Sequence, residues 1–181
     1  MTWTLPGTTL QGKRADAGRT DGLFQSMMLT GGLTLGQVAT ITGLEPYTVQ
    51  NWVKRGFLPA PRGKRYDMEQ LCRIITINML RGALALEKIC GLLSYINGSL
   101  TGESDDIIDD TALYFMFVKL AARARDLEGA EWEEAIADTL AGYLEPYPGA
   151  RQRIGQVLRI MLTAWISTRM RQEAEAMLAA L

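Results

Sequence analysis

The sequence predicts an all-α protein with one small β-hairpin, built as an N-terminal winged helix-turn-helix followed by a C-terminal helical domain. Apolar residues recur at helical spacing along most of the 181 residues, and helix start and stop signals separate the segments. Prolines and glycines interrupt this pattern between residues 56 and 66, which favours a hairpin there. Hydrophobic residues make up 48% of the chain, which is enough apolar material for one ordinary domain or two small ones.

Residues 1–32 are predicted to form an N-terminal arm. The first twenty are polar and rich in Gly and Thr, and no apolar period runs through them, so we expect a loose chain. Residues 7–13 match a phosphate-binding loop, but Arg14 stands where a Ser or Thr would hold magnesium. A flexible arm is therefore the preferred interpretation.

Two short helices joined by a tight turn are predicted from residue 34 onward. Thr34 and Gln37 form a capping box, so a helix begins there. Gly43 breaks this helix, and Pro46 suits the first turn of a second helix, because its missing N–H has no partner at that position. The second helix is expected to run to about Lys54. Two helices with a glycine-containing turn are typical of a helix-turn-helix.

The second helix is predicted to have one buried and one exposed face. Val49, Trp52 and Val53 share the apolar face and are expected to point into the core. The polar residues left to face outward are Tyr47, Thr48, Gln50, Asn51 and Lys54.

A hairpin and two further helices complete the predicted N-terminal domain, residues 33–98. Gly56 ends the second helix, prolines extend residues 58–61, and a tight turn at Arg62 and Gly63 leads into a returning strand at 64–66. Asp67 and Gln70 cap a third helix that reaches about residue 81, and a fourth is expected at 86–96.

The C-terminal domain, residues 99–181, is expected to begin with an acidic linker over 99–110 and to continue as three helices, 106–127, 131–144 and 150–180. The last helix carries a broad apolar stripe, which we interpret as a dimer interface. The alternative is that the stripe packs on the two preceding helices within one chain. The interface residues expected are Leu158, Leu162, Trp165, Ile166 and Met170.

Charge is distributed unevenly. Residues 33–100 carry eight basic and four acidic side chains, whereas residues 101–181 carry eight basic and fourteen acidic ones. Five basic residues lie between 54 and 65 without an acid among them. A basic run is often only a solvated surface, but on a helix-turn-helix with a hairpin it indicates contact with nucleic acid.

Catalytic and metal sites are not expected. Histidine is absent, which removes Ser-His-Asp and Cys-His catalysis and most zinc sites. Cys72 and Cys90 fit no CxxC spacing and are expected to be reduced core residues. We therefore predict no cofactor and no enzyme activity. The chain shows no signal peptide and no apolar stretch of spanning length, so a cytoplasmic location is expected.

Four acidic residues open the C-terminal domain, namely Asp105, Asp106, Asp109 and Asp110. The i, i+4 pairs among them share a helix face and could hold a hard cation. An acid-rich helix start is the preferred interpretation, since the helix dipole favours negative charge there.

Several segments resemble the DNA-binding domain of MerR-type transcription regulators over about residues 33–97. They include Gly-Phe-Leu-Pro at 56–59 and Lys-Arg-Tyr at 64–66, together with the segments 34–49 and 84–89. A narrower resemblance, over about 22–117, is to the uncharacterised bacterial family called domain of unknown function 1836. It is carried in order by the segments 32–35, 49–56, 77–81, 93–97 and 104–110. These resemblances imply a MerR-like winged helix-turn-helix that pairs through a helix after the DNA-binding domain.

Two departures from the MerR-type pattern affect what is expected. Gln50 and Asn51 stand where those regulators commonly show an Arg-Tyr pair, which implies a different target sequence. No Cys or His follows Cys90, which disfavours a soft-metal sensor.

The predicted function is sequence-specific transcription regulation by a homodimer that binds double-stranded DNA. Whether a small molecule or a protein acts as its effector is left open. The second helix would read bases in the major groove and the basic hairpin would lie on phosphates. The alternative is a protein-interaction module that keeps the helix-turn-helix only as a scaffold. The DNA-binding residues expected are Tyr47, Thr48, Gln50, Asn51, Lys54, Arg55, Arg62, Lys64, Arg65 and Tyr66.

Overall fold

The computed structural model describes residues 2–97, 107–124 and 129–181, and for residues 129 and 130 the backbone alone. The prediction of a mostly helical chain is confirmed, and a small antiparallel hairpin is present, but its two strands lie at residues 2–4 and 11–13 and not at the predicted 58–66. In chain order the elements are β1 (Thr2–Thr4), β2 (Gln11–Lys13), a 3-10 helix (Arg14–Arg19), α1 (Thr20–Met28), α2 (Leu35–Thr42), α3 (Pro46–Lys54), α4 (Met68–Leu80), α5 (Leu86–Asn97), α6 (Asp110–Ala124), α7 (Gly129–Thr139) and α8 (Ala150–Ala179).

Strands β1 and β2 pair near the start of the chain, in the segment expected to be loose. That expectation was wrong for residues 2–20, because two apolar side chains of this segment are part of the core. Trp3 and Leu5 are buried, and the Trp3 ring packs edge-on against Trp165 of α8, with ring centroids 6.5 Å apart. The Tyr114 hydroxyl of α6 donates a hydrogen bond to the Pro6 carbonyl at 3.0 Å.

The loop between β1 and β2 also contacts the end of α2. The Asn78 side-chain amide on α4 donates to the carbonyl oxygens of both Gly7 (2.9 Å) and Thr42 (2.8 Å). The Thr9 N–H donates to the Ile41 carbonyl at 2.8 Å. Gly7 has φ +74°, and a Cβ there would lie 2.4 Å from the Ile75 carbonyl oxygen, so only glycine fits this close approach.

Helix α4 lies at the centre of the fold. The predicted capping box is confirmed: the Asp67 carboxylate accepts the Gln70 N–H at 2.8 Å, and the Gln70 side chain accepts the Asp67 N–H at 3.1 Å. Ile74, Ile75 and Ile77 are completely buried, so α4 is covered on several sides by α2, α5, α6 and α8.

A buried ion pair joins α4 to α6. The Arg73 guanidinium lies 3.0 Å from the Asp110 carboxylate, and both side chains are more than nine-tenths covered. Asn97 at the end of α5 donates to the same carboxylate at 3.1 Å, and Arg73 also donates to the Phe57 carbonyl at 3.1 Å. Burial raises the pKa of the Asp110 carboxyl, and the Arg73 charge acts in the opposite direction. Four segments of the chain therefore meet at one polar contact.

The two described acidic residues at the start of α6, Asp109 and Asp110, have structural roles. The Asp109 carboxylate accepts the Ala112 N–H at 2.7 Å, which caps the helix, and Asp110 is committed to Arg73. Asp105 and Asp106 lie outside the described residues.

Cys72 is fully buried and Cys90 is half-buried, and both are free thiols whose pKa is raised by burial.

Helix α8 packs its apolar stripe within the chain, which favours the alternative given for this stripe in the sequence analysis. Leu158 and Leu162 are fully buried and Trp165 is nearly so within the single chain, because this stripe packs on helices of the same chain. Burial of these three residues within one chain favours intrachain packing, and a dimer interface at this stripe stays a prediction. Ile166 is half-buried, and Met170 is 66% exposed.

One hydrophobic cluster includes residues from all three predicted segments, among them Trp3, Val49 and Leu158. The division into an arm and two domains stays a prediction. Within the described ranges, no helix combines the length and the apolar character needed to cross a lipid bilayer.

Candidate nucleic-acid interface

Helices α2 and α3 and the turn between them form where the sequence predicted them. Thr34 and Gln37 make the reciprocal bonds of a capping box. Gly43 ends α2 in the left-handed region at φ +68°, and Pro46 occupies the first turn of α3. The bounds of α3 agree with the predicted 46–54.

Helix α3 presents one face to the core and one to solvent. Val49 and Trp52 are buried, as predicted, while Val53 is half-buried. Tyr47 is 73% exposed, and Gln50 and Lys54 are also exposed. The remaining two predicted contact residues, Thr48 and Asn51, are half-buried. Positions 47, 50, 51 and 54 lie on one side of the helix because they follow the i, i+3, i+4, i+7 spacing.

A Schellman motif ends α3 and fixes the direction in which the chain leaves it. The Phe57 N–H donates to the Trp52 carbonyl at 2.9 Å, and the Gly56 N–H donates to the Val53 carbonyl at 3.0 Å. Gly56 has φ +78°, which the motif requires.

Arg55 is less available for a contact with DNA than the sequence suggested, because its side chain already has partners. Its guanidinium forms an ion pair with Glu87 of α5 at 2.6 Å and lies 4.7 Å above the Phe57 ring. Both charged side chains are largely exposed, so this pair is weak and can exchange. Sequence reasoning missed Glu87 because thirty-two positions separate the two residues.

Residues 62–65 form a tight turn with one bridge and no strand of regular length. The Arg65 N–H donates to the Arg62 carbonyl at 2.9 Å. Both central residues have positive φ, +56° at Gly63 and +63° at Lys64, which is the pattern of a type I′ turn. Arg62 and Lys64 are exposed and have no ion-pair partner among the described residues.

The turn is held against the segment that precedes α2. Leu33 and Tyr66 exchange two backbone hydrogen bonds of 2.9 and 2.8 Å. The Arg65 guanidinium donates to the Gly32 carbonyl at 2.8 Å, so this arginine helps to anchor the turn. Gln70 donates to the carbonyl of Ala60 at 2.9 Å. None of these anchoring hydrogen bonds was predicted from the sequence. The adjacent residues Gly31 and Gly32, just before the cap of α2, do indicate an unusual backbone there.

Tyr66 is buried, with 3% of its surface exposed, so its ring packs on the core. Burial also raises the pKa of its hydroxyl. That its hydroxyl contacts a phosphate stays a prediction.

Gly32→Ala is expected to lower the free energy of unfolding by about 1–3 kcal/mol. Gly32 has φ +100°, and a Cβ would lie 2.8 Å from the Tyr66 carbonyl oxygen, so an alanine strains the contact that holds the turn. Urea denaturation followed by circular dichroism measures the loss. Gly36→Ala is the control, because that position is helical and has open space around it. Alanine there is expected to raise the free energy of unfolding by about 0.5–1 kcal/mol. Equal effects from both substitutions would contradict this account.

The comparisons with known proteins cover part of the chain. Residues 33–117, less than half of it, match the family model described as "Domain of unknown function (DUF1836)". The chain is 31% identical over 84 residues to "Uncharacterized protein YkrK" of Bacillus subtilis (strain 168), which is 44% of this chain and 36% of that protein. This chain therefore spans about a third of the length of that relative. No solved structure matches. The family match contains α2 to α5, the tight turn and the Arg73–Asp110 pair.

Proposed function

We propose that this chain binds double-stranded DNA through α3 and the tight turn at 62–65, and that it acts as a transcription regulator. The observation that supports this most is the exposed polar side of α3, followed along the chain by a basic turn whose Arg62 and Lys64 are unpaired among the described residues. The resemblance of 33–97 to MerR-type regulators, drawn from the sequence motifs above, supports the same conclusion.

In the proposed complex, α3 enters the major groove, which is wide enough to admit one helix. Gln50 and Asn51 can pair with adenine, and Lys54 can reach guanine or a phosphate. Arg62 and Lys64 would lie on the phosphate backbone, where they add affinity without reading sequence. Arg65 contributes indirectly, because its guanidinium is bonded to the Gly32 carbonyl.

The proposal predicts DNA binding that weakens steeply with salt. The double variant Arg62→Gln/Lys64→Asn removes two charges, and asparagine tolerates the positive φ of position 64. We expect weaker binding to all sequences alike, and a slope of log affinity against log salt that is smaller by about one unit per lost phosphate contact. Fluorescence anisotropy at 50–200 mM salt, a range typical of such tests, measures both.

The matched control is Arg19→Gln/Lys119→Gln, which removes two exposed charges outside the proposed interface. It is expected to leave affinity and slope unchanged. The same affinity and slope in both double variants would show that the turn does not contact DNA. No DNA binding even at the lowest salt would favour the alternative, a protein-interaction module with a helix-turn-helix scaffold.

We also propose that two copies pair, and that the exposed end of α8 is the contact. Every residue from 170 to 181 is exposed, so this end of the helix projects from the rest of the chain. Met170, Ala174 and Met177 follow a spacing of four and three, which places them along one side, as in a coiled-coil seam. A second copy presents the same stripe, and two DNA-binding units supply the specificity that one short half-site lacks.

Met170→Glu/Met177→Glu is expected to convert a dimer into a monomer at micromolar concentration, because it places like charges along the proposed seam. Sedimentation velocity measures the change. Ala176→Glu/Ala179→Glu adds the same charge away from the seam and should leave the dimer intact. A wild-type chain that sediments as a monomer would refute the pairing.

A further inference from the structure

We propose that the cleft between the N-terminal hairpin and α8 is a binding site for a small organic or inorganic anion that carries phosphate or carboxylate groups. The cleft has a volume of about 860 Å³, which is within the range of metabolite sites. Its walls come from β1 and the loop after it, from the end of α4, and from α8. This site lies outside the proposed DNA-binding surface and concerns a different class of ligand.

The charge of the cleft selects an anion. Arg81, Arg169 and Arg171 line it, and no Asp or Glu is among the described residues that do so. Arg81 is exposed and has no ion-pair partner within the described part of the chain. Arg171 is paired with Glu175 at 3.2 Å, but both are more than half exposed, so a ligand can compete for this arginine. Guanidinium groups bind phosphate and carboxylate through paired, charge-assisted hydrogen bonds.

One neutral hydroxyl donor supplements the arginines, and it belongs to Thr2. The hydroxyls of Thr8 and Thr168 also line the cleft, but each already donates to a backbone carbonyl, of Leu5 and of Ala164, at 3.0 Å. Trp3 also lines the cleft, and its indole N–H is buried without an acceptor among the described residues. A buried indole N–H normally has a partner, but this one has almost no accessible surface, so a ligand in the cleft can accept from it only after the Trp3 ring shifts.

The cleft is connected to the helix-turn-helix by the β1–β2 loop. Gly7 and Thr8 of this loop line the cleft, and Asn78 in the same wall is bonded to both Gly7 and Thr42, the last residue of α2. Thr9 is bonded to Ile41 in the same turn of α2. A ligand that draws the loop toward α8 would therefore act on the turn that leads into α3. This regulatory step rests on the proposed function, whereas the binding site itself does not.

Binding is tested on the full chain with pyrophosphate and with citrate, each against sodium chloride at the same ionic strength. Trp3 and Trp165, two of the four tryptophans, line the cleft, so tryptophan fluorescence reports on it. We expect a saturable change for at least one probe, with a dissociation constant of about 1 mM or lower. Response to pyrophosphate alone indicates a phosphate ligand, and response to citrate alone indicates a carboxylate.

Arg81→Gln is expected to weaken the binding by about tenfold, because it removes one charge-assisted contact. Arg19→Gln removes an exposed arginine outside the cleft and should leave binding unchanged. Absence of a saturable change for both probes, or equal weakening in the two variants, overturns the proposal.

The regulatory step is tested by repeating the DNA titration with the bound probe. A shift in DNA affinity in the wild type that is lost in Arg81→Gln supports it. Probe binding without any DNA binding supports the anion site and refutes the proposed function. DNA binding without probe binding supports the proposed function and refutes the anion site.

Discussion

Asp110→Ala is expected to lower the free energy of unfolding by about 3–5 kcal/mol, the largest single effect that we anticipate. The substitution leaves the Arg73 guanidinium buried and without its counter-charge, and it removes the acceptor of the Asn97 amide. The measurement is denaturant unfolding followed by circular dichroism.

Two further variants test whether the loss of stability comes from the broken ion pair or from any substitution at the start of α6. Asp109→Ala removes only the exposed cap of the same helix and is expected to cost about 0.5–2 kcal/mol. The double variant Arg73→Met/Asp110→Leu removes both charges and should recover much of the loss, since a buried ion pair is often replaceable by apolar residues. A loss for Asp110→Ala no larger than for Asp109→Ala would refute a structural role for the pair.

Leu162→Ala is expected to lower the free energy of unfolding by about 2–5 kcal/mol, because it leaves a cavity in a fully packed site. The loss should not depend on protein concentration, since the side chain is covered within one chain. Ile160→Ala, on the same helix but 43% exposed, is the control and should cost clearly less. If instead Leu162→Ala kept its stability and only dissociated a dimer, the stripe would be an interface after all.

The burial of this stripe also decides how pairing can be tested. Removing α8 by truncation after residue 148 would expose the faces of α4, α5, α6 and α7 against which it packs. Loss of the fold would then be indistinguishable from loss of a dimer. Substitutions at the exposed end of α8 avoid this difficulty.

The features that could be predicted from the sequence are those determined by neighbouring residues. The capping boxes at Thr34 and Asp67 and the proline at 46 each act within one helical turn, so the starts of α2, α3 and α4 followed from local chemistry. The buried side of α3 followed from helical spacing for the same reason.

The features that were missed depend on residues far apart in the chain. Arg73 and Asp110 are thirty-seven positions apart, and no pattern along the chain connects them. The three-residue strands β1 and β2 are too short to show an alternating period, and they are held by contacts such as Trp3 with Trp165. An apolar stripe such as that of α8 indicates burial without saying whether the covering surface belongs to the same chain.

The packing of Trp3 on Trp165 has a consequence for the order in which the protein can be completed during synthesis. Trp3 is synthesised before its partner ring, because Trp165 comes 162 positions later in the sequence. At elongation rates of about 5–20 residues per second, the delay is roughly 8–30 s. During that interval the β1–β2 segment can already contact α2, α4 and α6, but the Trp3 ring lacks its partner on α8, so that face of the ring stays uncovered until Trp165 has been made.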